Sequence, residues 1–364
     1  MTGASNTYIL IMAGGVGSRF WPKSRNNFPK QFIDILGLGK SLIQLTYDRF
    51  LKICPNEQIY VLTNESYANL VQEQLPSLLN TNILLEPSRN NTAPCIAYAC
   101  YKILQLNPDA NIVVAPSDHL ILKEDVFLEK ITQALNFSSI NDALVTLGVQ
   151  PTRADTGYGY IEHKKSDNHS NLGIREVVAF MEKPSLDKAQ EYLFSGKYLW
   201  NAGIFIWSAK AIQKSFEQYA PEIDSLFKKG NDFFNTIKEN EFIEEFYPHT
   251  PNISIDYAIL EKANNVYTIP ADIGWSDLGT WASLYAVANK DEHENSVNCS
   301  IASLYNTSNC IIQLPTGKAA VIKGMNNYII VDDGKILLIY PKNDEQEIKQ
   351  VGKELAANFG DQFS

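Results

Sequence analysis

The sequence lacks the features of a membrane protein, a disulfide-rich domain and a histidine- or cysteine-based metal centre. No apolar run approaches the ~18 residues that a membrane-spanning helix requires. The five cysteines include no Cys-x-x-Cys pair, which indicates reduced thiols in a cytosolic protein, and the five histidines show no metal-ligand spacing. Residues 1–7 are short and polar, so we expect no signal peptide and a cytoplasmic location.

The chain also has a deficit of positive charge. It carries 31 Lys and Arg against 41 Asp and Glu, with a net charge of −10 at pH 7. An acidic balance disfavours broad binding to nucleic acids and to membrane surfaces, and we expect neither as a partner. The 364 residues suffice for one full hydrophobic core and a second, smaller domain.

One segment reverses this acidic balance. Between Ala13 and Ile33 the sequence has four cations and no acid, and it follows an apolar run, Tyr8–Met12, that predicts a buried strand. Glycines in the segment would let backbone N–H groups approach an anion closely, so a polyphosphate ligand is the simplest explanation. The glycine spacing alone also fits an ordinary turn, since it matches neither the dinucleotide fingerprint nor the phosphate loop of nucleotide-binding proteins.

Apolar, β-branched runs alternate with helical stretches from about residue 8 to residue 150. The runs are Tyr8–Met12, Gln58–Thr63, Asn82–Glu86, Asn111–Ala115 and Ala143–Val149, and the helical stretches are Ser41–Lys52, Glu65–Leu75, Thr92–Leu106 and Val126–Phe137. This alternation predicts a parallel sheet covered by helices, with ligands bound beyond the carboxyl ends of the strands.

The pattern loosens after residue 150. We predict a strand at Ile204–Ser208 and a helix at Ser254–Lys262, in a region that carries a second substrate on the same sheet. After about residue 290, short apolar runs separated by Asn, Gly or Asp predict a small all-β unit, closed by a helix at Glu345–Asn358. We therefore predict a catalytic domain at residues 1–288 and a β-rich module at residues 289–364.

The basic segment resembles a known family signature. Residues 14–32 read Gly-Gly-x-Gly-x-Arg-x-Trp-Pro-x-Ser-Arg-x-x-x-Pro-Lys-Gln-Phe. This pattern is similar to that of sugar-nucleotide pyrophosphorylases, and its Trp-Pro, Ser-Arg and Pro-Lys-Gln-Phe elements resemble bacterial mannose-1-phosphate guanylyltransferases in particular. The resemblance covers residues 8–285 strongly and the remainder loosely.

The resemblance implies a fold and an activity. The fold is a three-layer, Rossmann-like α/β nucleotidyltransferase domain with a small β-helix-like C-terminal module that joins two subunits in a homodimer. The activity is transfer of GMP from GTP to α-D-mannose 1-phosphate in the presence of Mg²⁺, which gives GDP-mannose and pyrophosphate. The chain ends before the isomerase-type domain of longer relatives, so a form with a single function is expected.

Such a transfer needs cations and a divalent metal, because it works by positioning and by charge neutralisation. The resemblance implies that Arg19 binds the triphosphate and that Lys30 lies between the reacting phosphates. It also implies metal ligation by Asp118, in Val-Ala-Pro-Ser-Asp-His, and by Asp277, in Gly-Trp-Ser-Asp-Leu-Gly. Each aspartate taken singly could equally cap a helix or close an Asx turn.

The remaining candidates would bind the nucleotide and the sugar phosphate. The nucleotide set is Gly14, Gly15, Gly17, Arg19, Glu86, Arg89, Asn90 and Thr92, and the sugar-phosphate set is Gly157, Tyr158, Gly159, Glu182, Lys183, Asn201, Gly203 and Asp256. Glu86 suits the N1–H and 2-amino donors of guanine, while Arg89 and Asn90 bridge phosphates or shape the loop. Read without the resemblance, Glu182 and Lys183 fit a solvated strand end, and Asp256 fits a helix cap.

Two other functions remain open at this point. A different sugar-1-phosphate nucleotidyltransferase would share the signature but select another sugar or base. A non-catalytic regulator that binds a sugar nucleotide would have damaged cation or metal positions, whereas the four catalytic candidates are all present here.

Overall fold

The computed structural model describes residues 6–164 and 173–363. Residues 1–5, which belong to the segment where we expect no signal peptide, lie outside the described residues. The chain divides into two compact units. Unit 1 contains residues 1–14, 47–117 and 121–275, and unit 2 contains residues 15–46, 118–120 and 276–364. The predicted boundary at residue 288, between a catalytic domain and a β-rich module, stays a prediction. Unit 2 groups the basic glycine segment with residues 276–364.

The secondary structure follows the predicted alternation. In chain order the strands are β1 (Thr7–Met12), β2 (Ile59–Asn64), β3 (Ile83–Glu86), β4 (Asn111–Pro116), β5 (Leu120–Ile121), β6 (Leu144–Val149), β7 (Tyr160–His163), β8 (Arg175–Met181), β9 (Tyr198–Ser208), β10 (Val266–Pro270), β11 (Trp275–Ser276), β12 (Ser296–Asn298), β13 (Ile301–Tyr305), β14 (Ile311–Gln313), β15 (Ala319–Lys323), β16 (Tyr328–Asp332) and β17 (Leu337–Pro341). The α-helices are α1 (Leu42–Phe50), α2 (Ala68–Gln74), α3 (Thr92–Leu106), α4 (Glu124–Ser138), α5 (Leu186–Ser195), α6 (Ala209–Tyr219), α7 (Pro221–Lys229), α8 (Glu239–Phe246), α9 (Trp281–Val287) and α10 (Ile348–Phe359). None of the helices in the described ranges combines the length and the apolar character that crossing a membrane requires.

A mixed sheet with helices on both faces forms unit 1. Among the described residues, nine strands pair in the order β3-β2-β1-β4-β9-β6-β10-β8-β7. On one face, Leu10 and Val114 pack with α3 and α6 in the main hydrophobic core. The alternate residues Ile9 and Val113, which point to the opposite face, are also fully buried. Helix α4 contacts β4, β6 and β9, so the predicted three-layer α/β arrangement is confirmed.

The expected purely parallel order ends at β4. Strands β1 to β4 pair in parallel, but β9 lies between β4 and β6 and is antiparallel to both. Strand β9 begins at Tyr198 rather than at the predicted Ile204, because residues 198–201 pair with β6 and β7. The predicted helix at Ser254–Lys262 is a short π-helix at Asp256–Leu260. These features depend on partners distant in sequence, which local periodicity does not report.

Unit 2 has its own core and a coiled β module. Strands β12, β14 and β16 stack in parallel, with Ser296 paired to Ile311 and Ile311 paired to Ile329. Strands β13 and β15 form a second parallel pair. Repeated parallel stacking of short strands is the arrangement expected for a β-helix-like module, so this prediction is confirmed. Phe20 and Trp281 pack in the unit 2 core with side chains of β14, β16 and α10.

Candidate active site

A polar cavity of about 290 Å³ lies within unit 2. Three stretches that are far apart in sequence and the C-terminal helix contribute its lining residues, which are Gly17, Ser18, Arg19, Lys30, Asp118, His119, Asp277, Gly279 and Lys349. The four residues that were predicted to be catalytic therefore line one cavity. The predicted metal and triphosphate site requires this proximity, because two aspartates can share one ion with a triphosphate only if they lie near the same cations.

The glycine segment closes on itself by hydrogen bonds. Gly17 adopts a left-handed conformation with φ of +67°, and its carbonyl accepts bonds from the Phe20 N–H and the Ser24 hydroxyl. The Gly15 carbonyl accepts a bond of 2.9 Å from the Gln31 side chain. The two ends of the segment are thereby held together, with Lys30 beside the glycine turn.

Lys30 is a buried cation with two oxygen partners. Its side chain is only 3% exposed, and its Nζ lies 2.8 Å from Asp118 Oδ2. The same ammonium donates to the Asp277 carbonyl oxygen at 2.6 Å. A buried charge is tolerated when it is paired and hydrogen-bonded, so Lys30 joins the glycine segment to both aspartate segments.

Asp118 is held in its charged form. Burial opposes ionisation of this carboxyl, but Lys30 and the neighbouring His119 outweigh that effect and lower the pKa of Asp118 below its usual range. The side chain keeps 32% exposure, so one face of the carboxylate is open to the cavity. We conclude that Asp118 carries its negative charge throughout the neutral pH range.

Asp277 closes an Asx turn and also lines the cavity, and its role as a metal ligand stays a prediction. Its Oδ1 accepts the Gly279 N–H at 3.0 Å, which is an Asx turn. A Cβ at position 279 would lie 2.4 Å from Asp277 Oδ2, so glycine is needed for the carboxylate to adopt this position. The same residue lines the cavity together with Arg19 and Lys30.

The cavity suits a hard divalent cation that also binds phosphate. Two carboxylates line it, and Mg²⁺ commonly takes one or two carboxylates together with phosphate oxygens and water. Within residues 6–164 and 173–363, no group of three or more His, Cys, Asp or Glu could enclose a metal by itself. The donor set therefore fits a magnesium ion that depends on a phosphate ligand.

Two other cations of the cavity differ from Lys30 in exposure and pairing. Arg19 and Lys349 are both exposed, and neither side chain has a hydrogen-bond or ion-pair partner among the described residues. Sequence reasoning missed Lys349 as a site residue. No local signal could have revealed it, because a lysine in a polar helical segment is usually only solvated.

The nucleotide-binding candidates of unit 1 have protein partners. Glu86 is buried, its Oε2 accepts a 2.6 Å bond from the Tyr247 hydroxyl, and burial raises the pKa of its carboxyl. A Cβ on Gly14 would lie 3.6 Å from Glu86 Oε1, so these two candidates are neighbours. Asn90 donates to the carbonyls of Tyr247 and Thr250, and its role in the site stays a prediction.

Arg89 and Thr92 are also engaged near this loop. Arg89 donates to the Tyr67 hydroxyl at 2.7 Å and lies over the Tyr67 ring. Thr92 begins α3, and its hydroxyl accepts the Ile255 N–H at 2.9 Å. Asn91 caps α3, since its side-chain oxygen accepts the Thr92 N–H at 2.9 Å.

Four sugar-phosphate candidates from separate segments of the chain meet within unit 1. The Asn201 N–H donates to the Gly159 carbonyl at 2.8 Å, and its side chain donates to Asp256 Oδ1 at 3.1 Å. A Cβ on Gly159 would lie 2.5 Å from Glu182 Oε2, so Gly159 and that carboxylate are close neighbours. Burial and the nearby charge of Glu182 raise the pKa of Asp256 to about 7.

The other sugar-phosphate candidates flank this cluster. Gly203 has φ of +68°, and its N–H donates to Asn201 Oδ1 at 3.0 Å. Lys183 forms an ion pair with Glu182. The Tyr158 ring makes edge contacts with Trp200 and Trp275 at centroid distances of 5.0 and 5.2 Å, which gives an aromatic wall near Gly157.

Replacement of Gly17 tests the strain in the glycine segment. A Cβ at this position would lie 2.4 Å from Lys30 Cβ, and the positive φ disfavours any other residue. We expect Gly17→Ala to lower the free energy of unfolding by about 1–3 kcal/mol. Gly15→Ala is the matched stability control, since nothing lies within 4 Å of a Cβ there. Chemical denaturation of both variants measures the difference, and equal midpoints would contradict the prediction.

The raised pKa of Asp256 predicts a pH dependence of stability. The folded state binds a proton more tightly than the unfolded chain, so this group stabilises the fold at acidic pH, and the stabilisation is lost as the pH rises towards about 7. The isosteric variant Asp256→Asn has no such titration. We expect the melting temperature of the wild type, relative to this variant, to fall between about pH 4 and pH 7. Parallel melting curves across that range would exclude the shift.

Comparisons with known proteins agree with this site. Residues 8–294 match the family model described as nucleotidyl transferase. The mannose-1-phosphate guanylyltransferase of Salmonella muenchen is 36% identical over 356 residues, which cover 96% of this chain and 73% of that protein. The protein of the same description from Escherichia coli strain K12 is 33% identical over 363 residues, which cover 97% of this chain and 74% of that protein.

A solved structure supports the same relationship. The crystal structure of a Thermus thermophilus protein described as a mannose-1-phosphate geranyltransferase superposes with a TM-score of 0.84 at 28% identity. The superposition covers 96% of this chain and 99% of that one. The chain therefore belongs to the nucleotidyl transferase family, in the group of the mannose-1-phosphate guanylyltransferases.

Proposed function

We propose that the chain transfers GMP from GTP to α-D-mannose 1-phosphate and releases pyrophosphate, giving GDP-mannose. The observation that carries this proposal is the cavity in which Arg19 and Lys30 lie with Asp118 and Asp277. Cations and carboxylates in one small polar cavity suit a metal-bound triphosphate. The relatives named mannose-1-phosphate guanylyltransferase supply the sugar and the base of the proposal.

The reaction needs no protein nucleophile. A phosphate oxygen of the sugar phosphate attacks the α-phosphorus of GTP, and the bond from that phosphorus to the bridging oxygen breaks, so pyrophosphate leaves with the electron pair. The attacking phosphate is already anionic, and no residue needs to take a proton from it. The protein contributes by holding the reactants in line and by neutralising their charge.

The four residues predicted to be catalytic have separate roles in this proposal. Lys30, fixed by its contacts with the two aspartate segments, holds its ammonium where negative charge on the reacting phosphates is stabilised. Arg19, which is exposed, binds the outer phosphates with its planar guanidinium. Asp118 and Asp277 would hold Mg²⁺, which when bound supplies charge neutralisation to the phosphate oxygens.

The base and the sugar are assigned to the remaining candidate residues. Glu86, kept beside Gly14, accepts from the N1–H and 2-amino groups of guanine. Glu182 and Asn201 bind sugar hydroxyls next to the glycines at 157 and 159. Lys183 binds the sugar phosphate, and its ion pair with Glu182 positions it.

We further propose a homodimer that forms through the C-terminal module in the cytoplasm. Outward-facing apolar side chains on β13 and β15 support the dimer, with Ile301, Tyr305 and Val321 exposed by 59%, 55% and 78%. All five cysteines are unpaired, and four are buried, as is usual in a reducing compartment. The molar mass from light scattering tests the subunit number.

A substrate panel tests the proposed activity. Pyrophosphate release is measured for GTP, UTP, dTTP, CTP and ATP, each combined with mannose 1-phosphate or glucose 1-phosphate in the presence of Mg²⁺. We expect GTP with mannose 1-phosphate to give the highest kcat/KM. A clear preference for UTP or dTTP would instead identify another sugar-1-phosphate nucleotidyltransferase. Binding of GDP-mannose without turnover would identify a regulator.

A further inference from the structure

The C-terminal helix brings a lysine to the polar cavity of unit 2. We call it the phosphate cavity, because the proposed function places the triphosphate there. Lys349 lies in the first turn of α10 and lines the cavity together with Arg19, Lys30 and the two aspartates. It is more than 300 residues from the glycine segment in sequence, and it belongs to no motif of the family signature. Its position therefore depends on how α10 packs within unit 2.

Several contacts fix α10 against the glycine segment. Ile348 is fully buried in the core that contains Phe20 and Trp21. A Cβ at Gly352 would lie 3.1 Å from the Trp21 indole, so this helix turn packs directly on the ring. The Trp21 Nε1–H donates to the Phe363 carbonyl at 2.8 Å, just beyond the end of α10. These contacts bring the first turn of the helix next to the turn that carries Arg19.

The Lys349 ammonium is available to a ligand. It has no ion-pair or hydrogen-bond partner among the described residues. Glu345, the acid one helical turn earlier and the usual partner at that spacing, accepts the Ala282 N–H at 2.7 Å instead. A lysine that borders an anion-binding cavity and is not neutralised by its neighbours adds positive potential where phosphate oxygens would lie.

We propose that Lys349 is a further phosphate-binding residue, which contacts the pyrophosphate portion of GTP and the pyrophosphate product. The inference rests on the proposed function. Lys30 is buried and bonded to both aspartate segments, which suits the reacting phosphates, whereas Arg19 and Lys349 are exposed. The β- and γ-phosphates carry most of the charge of the triphosphate, and exposed cations suit them.

Reverse kinetics test the proposal on the full chain. The reaction of GDP-mannose with inorganic pyrophosphate is followed for the wild type, Lys349→Ala and Lys349→Arg. Lys353→Ala is the matched control, because it removes the same charge from an exposed position one turn further along α10, outside the cavity lining. We expect Lys349→Ala to raise KM for pyrophosphate about three- to tenfold, as for an exposed charged hydrogen bond.

The other parameters separate a phosphate contact from a general defect. KM for GDP-mannose and the melting temperature of Lys349→Ala are expected to match those of Lys353→Ala, and Lys349→Arg is expected to recover most of the pyrophosphate affinity. An identical KM for pyrophosphate in Lys349→Ala and Lys353→Ala would overturn the inference.

Failure of the proposed function gives a different result. A wild type that turns over neither GTP nor GDP-mannose would refute the function. Calorimetric titration with inorganic pyrophosphate and Mg²⁺ would then decide the inference. Weaker binding by Lys349→Ala than by Lys353→Ala would support the contact, and equal binding would refute it.

Discussion

Replacing Arg19 with alanine is expected to lower kcat/KM for guanylyl transfer by about two orders of magnitude or more. The guanidinium lines the phosphate cavity and has no partner among the described residues, so its binding capacity is available to the triphosphate. Because the side chain is exposed, its removal leaves the hydrophobic core intact, and the melting temperature should stay unchanged. Steady-state kinetics with GTP and mannose 1-phosphate measure the effect.

Two further variants give this experiment its contrast. Arg19→Lys keeps the charge but loses the planar fork, so an intermediate rate is expected. Lys353→Ala removes an exposed cation of unit 2 that lies outside the cavity lining, and its rate should equal that of the wild type. A folded Arg19→Ala variant with an unchanged rate would count decisively against the phosphate role.

Replacing Lys30 with methionine is expected to lower turnover by about three orders of magnitude and to destabilise the fold as well. The substitution removes the ammonium and its contacts with the Asp118 carboxylate and the Asp277 carbonyl oxygen, at 2.8 and 2.6 Å. The Asp118 carboxylate loses its lysine partner but keeps His119 nearby and is 32% exposed. We therefore expect the free energy of unfolding to fall by about 1–3 kcal/mol, less than for a fully buried pair. Kinetics and chemical denaturation measure the two effects.

The double variant Lys30→Met/Asp118→Asn separates stability from catalysis. Removing the carboxylate that has lost its lysine partner should restore part of the lost stability, since the two side chains interact directly. Turnover should not recover, because the cation and a proposed metal ligand are then both missing. If Lys30→Met kept a rate within about threefold of the wild type, the proposed role of Lys30 in stabilising transition-state charge would be wrong.

The sequence predicted which charged residues lie together better than it predicted the hydrogen-bond partners of the candidate residues. Arg19, Lys30, Asp118 and Asp277 were identified from motifs, and they line one cavity. The engagement of Glu86 by Tyr247 was not foreseen, because the two residues are 161 positions apart. A motif reports which residue types a site requires, but it carries no information on which distant side chain will satisfy them.

Local composition determined strand β1 and helix α3. The apolar run of β1, the glycines after it and the helix at Thr92–Leu106 follow from hydrophobic periodicity and backbone freedom, which act between near neighbours in the chain. The positive charge of the glycine segment is likewise a property of the sequence itself.

Only the tertiary structure decided the antiparallel position of β9, the coiled stacking of the C-terminal strands and the place of Lys349. Strand pairing and helix packing depend on the apolar area buried between segments that are distant in the chain, and no local pattern encodes that area. The packing of α10 on Trp21 is the physical reason why a lysine near the C-terminus lies at the phosphate cavity.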